Sequence, residues 1–253
     1  MQKLLKKLKE KNLLMTHVVI GYPSLTETIK IITTMAESGV DIIELQMPFS
    51  DPIADGPVIM KANEIALKNG TTTKDCMKIM KDLSCIVKIP LLFMGYFNTI
   101  FNYGIEKFCK DAFKAGCQGL IIPDMPIEEE EQEKFYHYCE KYNLAPILVI
   151  APSTPNDRLK KLAKFAKAFV YCVARKGVTG EKTDFQKDFQ KYINNVKKYL
   201  KIPLAVGFGI LEKKQVEFVH KHAQIAVVGS VLIKEYEKNK LMGIENLIKK
   251  LKK

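Results

Sequence analysis

The sequence predicts an α/β protein folded as a (β/α)8 barrel, and three observations support this prediction. Short apolar or β-branched runs alternate with longer segments of helical periodicity, and eight such pairs occur along the chain. The apolar runs are nearly continuous, which is typical of parallel strands that are buried on both faces. The length of 253 residues fits one barrel domain spanning residues 1–253, because no long linker divides the chain.

Each predicted strand is one apolar run, and a helical segment follows it. The runs cover residues 16–20, 40–45, 90–94, 119–122, 146–150, 168–173, 203–206 and 225–228. Helical periodicity is found in residues 25–38, 73–87, 105–115, 127–142, 155–164, 185–200, 213–222 and 243–251. An open doubly wound sheet is the rival architecture, but no GxGxxG segment follows the first run.

An extra N-terminal helix and two long connections complete the predicted architecture. Leu4, Leu5 and Leu8 share one side of the short helix. A helix at a membrane surface is one interpretation, and we favour a helix that caps the bottom of the barrel. The long connections cover residues 46–70 and 175–183. Connections that follow barrel strands lie on the face where active sites are found, so we expect function there.

The net charge of +12 does not predict a nucleic-acid-binding protein. Only two of the 40 basic residues, Arg158 and Arg175, are arginines, the side chain that reads phosphates and base edges bidentately. The six cysteines form no CxxC pair, which favours a reducing, cytoplasmic compartment. The first residues lack the apolar core of a signal peptide, and no apolar run is long enough to span a membrane. We therefore expect no nucleic-acid or membrane partner.

The second predicted strand and the loop after it contain the strongest catalytic candidates. Period-two alternation in residues 40–45 places Glu44 on one face with two apolar residues. If that face is the barrel interior, the loss of hydration suits the Glu44 carboxyl group to proton transfer. A register shifted by one residue would instead let Glu44 pair with a lysine. Asp51 and Asp55 follow in a proline-rich loop, where an aspartate either stabilises a turn or shares acid–base work with another carboxylate.

Three glycine-containing segments follow the last three predicted strands, at residues 175–180, 207–210 and 229–230. Glycine lets backbone N–H groups approach an anion closely, and a helix beginning at Ser230 would add its N-terminus. Barrels often bind phosphate with the loops after strands seven and eight. The segments therefore predict a small phosphorylated substrate, and the alternative is that they are simple tight turns.

Other polar residues carry little functional signal. The four histidines sit in unrelated contexts, and none neighbours a candidate nucleophile. The sequence contains no recognisable catalytic triad, metal-ligand set or Walker loop, so no metal site is predicted. The aromatic residues between positions 96 and 103 either form the wall of a pocket or belong to the core.

Residues 44–57, ELQMPFSDPIADGP, resemble the signature of the tryptophan synthase α subunit family. The resemblance covers essentially the whole chain and includes Gly21-Tyr22-Pro23, Asn98, Pro123-Asp124-Met125-Pro126, residues 175–180 and Gly207-Phe208-Gly209. It implies a TIM barrel of the ribulose-phosphate-binding type and a cytoplasmic lyase of aromatic amino acid biosynthesis. The implied reaction is the retro-aldol cleavage of indole-3-glycerol phosphate to indole and glyceraldehyde 3-phosphate.

The same resemblance implies the site residues and the partner. Glu44 matches the general acid/base of the family, and Asp55 matches the carboxylate that accepts a hydrogen bond from the indole N–H. Thr179 matches the threonine of the loop that closes over the site, and Tyr171 matches a tyrosine of the pocket. The residues that match the phosphate cradle are Gly180, Gly209, Gly229 and Ser230. The family forms an α2β2 heterotetramer whose β subunit holds pyridoxal phosphate and receives indole through a tunnel. No cofactor is therefore expected in this chain.

Two residues depart from the family pattern. Gln46 stands where the family usually has glycine, and we expect its side chain to reposition Glu44 or to narrow the pocket. Thr99 replaces a frequent proline. Three alternatives to the coupled lyase stay open. One is a non-catalytic partner of a β subunit whose own chemistry Gln46 has weakened, and another is a stand-alone lyase that releases indole. The third is another phosphate-binding barrel, which would need metal ligands or a different acid/base set that the sequence does not show.

Overall fold

Eight parallel strands form a closed barrel in which each strand pairs with the next and the last returns to the first. The computed structural model describes residues 1–173, 185–207 and 209–252. The strands are β1 (Leu13–Val19), β2 (Ile42–Gln46), β3 (Leu91–Met94), β4 (Gly119–Ile121), β5 (Ala145–Ile150), β6 (Val170–Val173), β7 (Leu204–Gly207) and β8 (Ile225–Val228). Each overlaps one predicted run, so the predicted (β/α)8 fold class is confirmed.

Helices surround the barrel and connect successive strands. They are α1 (Gln2–Lys7), α2 (Leu25–Glu37), α3 (Pro57–Lys68), α4 (Thr73–Ile86), α5 (Phe97–Tyr103), α6 (Ile105–Lys114), α7 (Glu130–Glu133), α8 (Phe135–Lys141), α9 (Asn156–Leu162), α10 (Phe185–Tyr199), α11 (Lys213–His220) and α12 (Ser230–Lys252), with a 3-10 turn at Ile127–Glu129. Side-chain caps fix several starts: Ser24 accepts a hydrogen bond from the N–H of Glu27, and Thr72 forms a capping box with Asp75. None of the described helices is long and apolar enough to cross a membrane.

The helix predictions were wrong in three places. The connection 46–70 contains α3, which begins with Pro57 at its first position and packs Ala62 and Ala66 beside Val19 of β1. The predicted helix 127–142 is broken at Lys134, which adopts a left-handed conformation with a φ of 54°. The physical reason is Glu130, whose carboxylate accepts hydrogen bonds from two N–H groups at the start of α8. Helix α5 was not predicted. The helix expected to begin at Ser230 is present, and a break at Lys240, where φ is 53°, separates it from the predicted segment 243–251.

Alternation along the strands separates two apolar cores. Ile42 of β2 lies in the cluster that fills the barrel, together with Met15, Leu92 and Phe169. Its neighbour Ile43 lies in the larger cluster between the strands and the helices. Because successive side chains point to opposite faces, Glu44 and Gln46 follow Ile42 on the interior side. The register that the site prediction requires is therefore present.

The short helix α1 closes the bottom of the barrel, as predicted. Leu4 is fully buried and Leu8 is 8% exposed, and both belong to the cluster inside the barrel. Leu5 is 41% exposed, so the prediction that all three leucines share the buried side was wrong for this residue.

Leu4→Ala is expected to lower the free energy of unfolding by about 2–5 kcal/mol, because it leaves a cavity in the barrel core. Leu5→Ala makes the same change on the exposed side of α1 and is expected to cost no more than about 0.5 kcal/mol. Chemical denaturation of both variants measures the difference. Equal losses would show that α1 does not close the barrel through Leu4.

Candidate active site

Glu44 lies inside the barrel near the carboxyl end of β2 and is 2% exposed. Strands β1 and β2 pair in a register that places His17 directly opposite Glu44. The ring Nδ1 of His17 and Oε1 of Glu44 are 2.9 Å apart. The alternative in which a shifted register pairs Glu44 with a lysine is wrong, because the partner of Glu44 is a histidine inside the barrel.

The protonation of His17 reflects this environment. Burial by itself lowers the pKa of His17. The hydrogen bond to Glu44 and the negative charges of Glu44 and Asp55 act in the opposite direction and outweigh burial, so the pKa is raised from its ordinary value. The imidazole is therefore more readily protonated than a free histidine side chain.

Asp55 lies in the segment between β2 and α3, and two side chains hold its carboxylate. The amide Nε2 of Gln46 donates a hydrogen bond to Oδ2 over 2.6 Å, and the Tyr96 hydroxyl donates to the same oxygen over 3.2 Å. The Tyr96 hydroxyl also accepts a hydrogen bond from the N–H of Ala54 over 3.0 Å. The Tyr96 ring stacks on Phe49 with 5.0 Å between centroids. The loop that carries Asp55 is thus fixed to β2 and to the end of β3.

Tyr96 was not among the predicted site residues. The sequence left open whether the aromatic residues between positions 96 and 103 form the wall of a pocket or belong to the core. Tyr96 is 1% exposed, whereas Phe101 on α5 is 54% exposed, so the segment is neither wholly core nor wholly pocket wall. Burial, and next the charge of Asp55, raise the pKa of Tyr96. The hydroxyl therefore stays protonated and remains a hydrogen-bond donor to Asp55.

Tyr171 of β6 joins the same group of residues. Its pKa is raised well above the ordinary value, first by burial and then by the charges of Glu44 and Asp55. A methyl group placed on Gly207 of β7 would come within 2.9 Å of the Tyr171 hydroxyl. Because glycine has no side chain, position 207 leaves room for the Tyr171 hydroxyl.

Three buried polar atoms of the site find no hydrogen-bond partner among the residues that the structure describes. They are Nε2 of His17, Oε2 of Glu44 and Oε1 of Gln46. A buried polar atom without a partner costs about 1–3 kcal/mol. The side chains of His17 and Gln46 also interact with each other, so Oε2 of Glu44 is the atom for which a polar ligand would matter most.

The predicted phosphate cradle is described only in part. Gly209 follows β7 with a φ of 78°, a conformation that favours glycine, and no atom of the described residues would meet a methyl group there within 4 Å. Gly229 directly precedes α12, and Ser230 is the first residue of that helix. The N-terminus of α12 therefore follows the end of β8, as a phosphate site requires. Thr179 and Gly180 lie outside the described residues.

Sequence reasoning missed His17 although its signal was present. Leu13 and Met15 of β1 belong to the cluster inside the barrel, and period-two alternation places His17 next on that side. A histidine in an otherwise apolar strand was the available clue. Within the described part of the chain, no group of three or more histidine, cysteine or acidic side chains could hold a metal ion.

The closed barrel and the carboxyl groups near the ends of its strands define a TIM-barrel enzyme. A family model described as tryptophan synthase alpha chain matches residues 3–253. The tryptophan synthase alpha chain of Syntrophotalea carbinolica is 42% identical over 247 residues, which is 97% of each chain. The chain belongs to the tryptophan synthase alpha chain family, and it is a carbon–carbon lyase that cleaves indole-3-glycerol phosphate in tryptophan biosynthesis.

Solved structures agree with this assignment. Tryptophan synthase subunit alpha from Campylobacter jejuni superposes with a TM-score of 0.87 at 34% identity and covers 98% of both chains. Tryptophan synthase from Mycobacterium tuberculosis, in its aminoacrylate-bound form, gives a TM-score of 0.89 at 28% identity. That match covers 98% of this chain and 97% of the other. The family and the barrel are thus supported by sequence and by structure.

Proposed function

We propose that Glu44 and Asp55 carry the cleavage of indole-3-glycerol phosphate into indole and glyceraldehyde 3-phosphate. The observation that supports this assignment is the buried Oε2 of Glu44, which has no hydrogen-bond partner among the described residues. Its other oxygen is held by His17, so Oε2 is the atom available to the substrate. A carboxyl group fixed in this way can pass a proton to and from a bound molecule.

Glu44 acts first as an acid and then as a base. Its carboxyl group donates a proton to C3 of the indole ring, which gives an indolenine with a positive charge near the ring nitrogen. The carboxylate then takes the proton of the adjacent glycerol hydroxyl. The C–C bond breaks, its electron pair returns to the ring, and the hydroxyl-bearing carbon becomes the aldehyde. Water is not consumed, and Glu44 is regenerated.

Asp55 stabilises the charge that develops on the indole ring. Gln46 and Tyr96 both donate to Oδ2, which leaves Oδ1 to accept a hydrogen bond from the indole N–H. A hydrogen bond to an ionised acceptor strengthens as the donor gains positive charge. The contacts from Gln46 and Tyr96 fix the carboxylate before the substrate binds, so that little reorganisation is needed during the reaction.

The substrate phosphate binds at the ends of the last strands in this proposal. Gly209, Gly229 and Ser230, together with Gly180, provide backbone N–H groups, and the N-terminus of α12 favours a negative charge. Tyr171 lines the pocket, and Thr179, outside the described residues, is the residue to which the family resemblance assigns closure against Asp55. Residues 1–253 act as one domain, because all eight strands contribute to a single closed barrel.

A tryptophan synthase β subunit is the partner that we propose, in an α2β2 heterotetramer that passes indole between subunits in the cytoplasm. Large apolar side chains are exposed in the connections that follow β2 and β3: Ile53 is 80% exposed, Met60 of α3 is 47% exposed and Phe101 of α5 is 54% exposed. Exposed apolar groups on the active-site face favour a protein partner. The α chain family needs no cofactor, and pyridoxal phosphate resides in the β subunit.

An assay of indole release tests this function. The purified chain is incubated with indole-3-glycerol phosphate, alone and with a purified tryptophan synthase β subunit, and indole is measured. We expect indole under both conditions and a faster reaction with the β subunit, which should also co-elute with the chain in gel filtration. Absence of indole under both conditions would contradict the proposal. Full turnover without any response to the β subunit would instead favour a stand-alone lyase.

A further inference from the structure

His17 is a buried ionisable residue that contacts the proposed acid/base directly. It is 5% exposed, and its Nδ1 lies 2.9 Å from Oε1 of the proposed acid/base. The two residues face each other across adjacent strands, so the backbone register fixes their distance. Its Nε2 is buried without a partner in the described part of the chain, as is Oε2 of Glu44.

We propose that His17 is a positioning residue that orients the carboxyl group of Glu44 and shares one mobile proton with it. This inference rests on the proposed role of Glu44 and extends it from one residue to a pair. In the resting site the pair holds the proton either as imidazolium and carboxylate or as imidazole and carboxylic acid. Transfer of the proton from Nδ1 to Oε1 connects the two forms, and rotation of the carboxyl group about its Cγ–Cδ bond then presents the proton to the substrate.

His17 and Glu44 together supply the one proton that the reaction needs and recover it within the same turnover. When Glu44 protonates C3 of the indole, the pair becomes a carboxylate and a neutral imidazole whose remaining proton is on Nε2. When Glu44 takes the proton of the glycerol hydroxyl, the pair regains its proton as the C–C bond breaks. One proton leaves and one returns, and no other reactant is required.

The surroundings of His17 favour storage of that proton. The negative charges of Glu44 and Asp55 act on the ring and raise its pKa in spite of burial. Gln46 contributes a polar contact in the same direction. Apart from Glu44 and Asp55, the ionisable groups that the structure describes near this site are tyrosine hydroxyls, which are neutral near pH 7. Glu44 on β2 and Asp55 on the next loop act on His17 directly. Tyr171 on β6 interacts with the same two carboxylates. Tyr22, after β1, and Tyr236, on α12, line a small cavity together with His17.

The pair predicts how kcat depends on pH. A lone carboxyl group loses its proton as the pH rises through an ordinary carboxyl pKa, whereas a pair keeps the proton until the pH passes the pKa of the histidine. Ordinary carboxyl and imidazole pKa values differ by about 2 units. With His17 present, the alkaline limb of the kcat profile should therefore lie about 2 units higher than without it.

His17→Asn is the informative variant, because its amide nitrogen lies where histidine carries Nδ1. Asparagine can keep the hydrogen bond to Glu44 but cannot hold the additional proton. We expect the alkaline limb of kcat to move down by about 2 pH units, with KM changing much less than kcat. His137→Asn, at an exposed residue of α8, is the matched control and should follow the wild-type profile.

Two results would contradict the proposal that His17 and Glu44 share one proton. If His17→Asn follows the wild-type pH profile, His17 only holds the side chain in place. The second measurement is an NMR titration of His17 in the wild type and in Glu44→Gln, where loss of the carboxylate should lower the histidine pKa. An unchanged pKa would mean that no proton is shared. Failure of the proposed function is distinguishable, because Glu44→Gln would then remain active whatever His17 does.

Discussion

Glu44→Gln is expected to lower kcat for indole release by about 10²- to 10⁴-fold, the usual contribution of a positioned acid/base. Glutamine has the shape of glutamate, and its carbonyl oxygen can still accept the hydrogen bond from Nδ1 of His17. The variant should therefore fold and bind substrate nearly as the wild type does. What it lacks is a proton that can be given to the indole C3 and recovered from the glycerol hydroxyl.

The measurement is steady-state indole formation, with the free energy of unfolding measured in parallel. Glu64→Gln makes the same chemical change on the outer surface of α3, where the carboxylate pairs with Lys68 over 2.6 Å. Its activity is expected to stay within about twofold of the wild type, since exposed ion pairs contribute little. More than half of the wild-type activity in Glu44→Gln would remove Glu44 from the proposed role.

The barrel was predictable because parallel strands buried on both faces leave a strong signal in the sequence. Alternation also placed Glu44 inside the barrel, and the structure confirms that orientation. Helix α3 was missed because Pro57 and the prolines and aspartates just before it were interpreted only as loop residues. Pro57 in fact occupies the first helical position, where its missing N–H costs nothing.

Contacts between side chains could not be predicted in the same way. The sequence suggested that Gln46 acts on Glu44, but the structure shows that its amide donates to Asp55. Gln46 and Asp55 are separated by a loop, and only the folded path of that loop brings them to 2.6 Å. The pairing of His17 with Glu44 likewise depends on the register between β1 and β2, which no local pattern specifies. The roles of Thr179 and Gly180 stay predictions.

Asp55→Asn is expected to lower kcat/KM by about 10- to 100-fold, because a hydrogen bond to a charged group contributes about 1.5–3 kcal/mol. Asparagine keeps the size of the side chain but removes the negative charge that opposes the developing positive charge on indole. The matched control is Asp51→Asn, in the same loop but exposed and bonded to the Ser50 hydroxyl. Its kinetics should remain close to those of the wild type.

A substitution at Gln46 distinguishes the effect of the Asp55 charge on the reaction from the effect of how the Asp55 carboxylate is positioned. Gln46→Leu removes the donated hydrogen bond and keeps a side chain of similar size, so the Asp55 carboxylate remains charged but is held by Tyr96 alone. If Gln46 acts by fixing Asp55, Gln46→Leu should reduce kcat/KM in the wild-type background and have a smaller effect when Asp55→Asn is already present. Equal effects in both backgrounds would show that Gln46 acts independently of Asp55. An Asp55→Asn variant with wild-type kcat/KM would exclude the carboxylate from stabilising the indole charge, whatever Gln46 does.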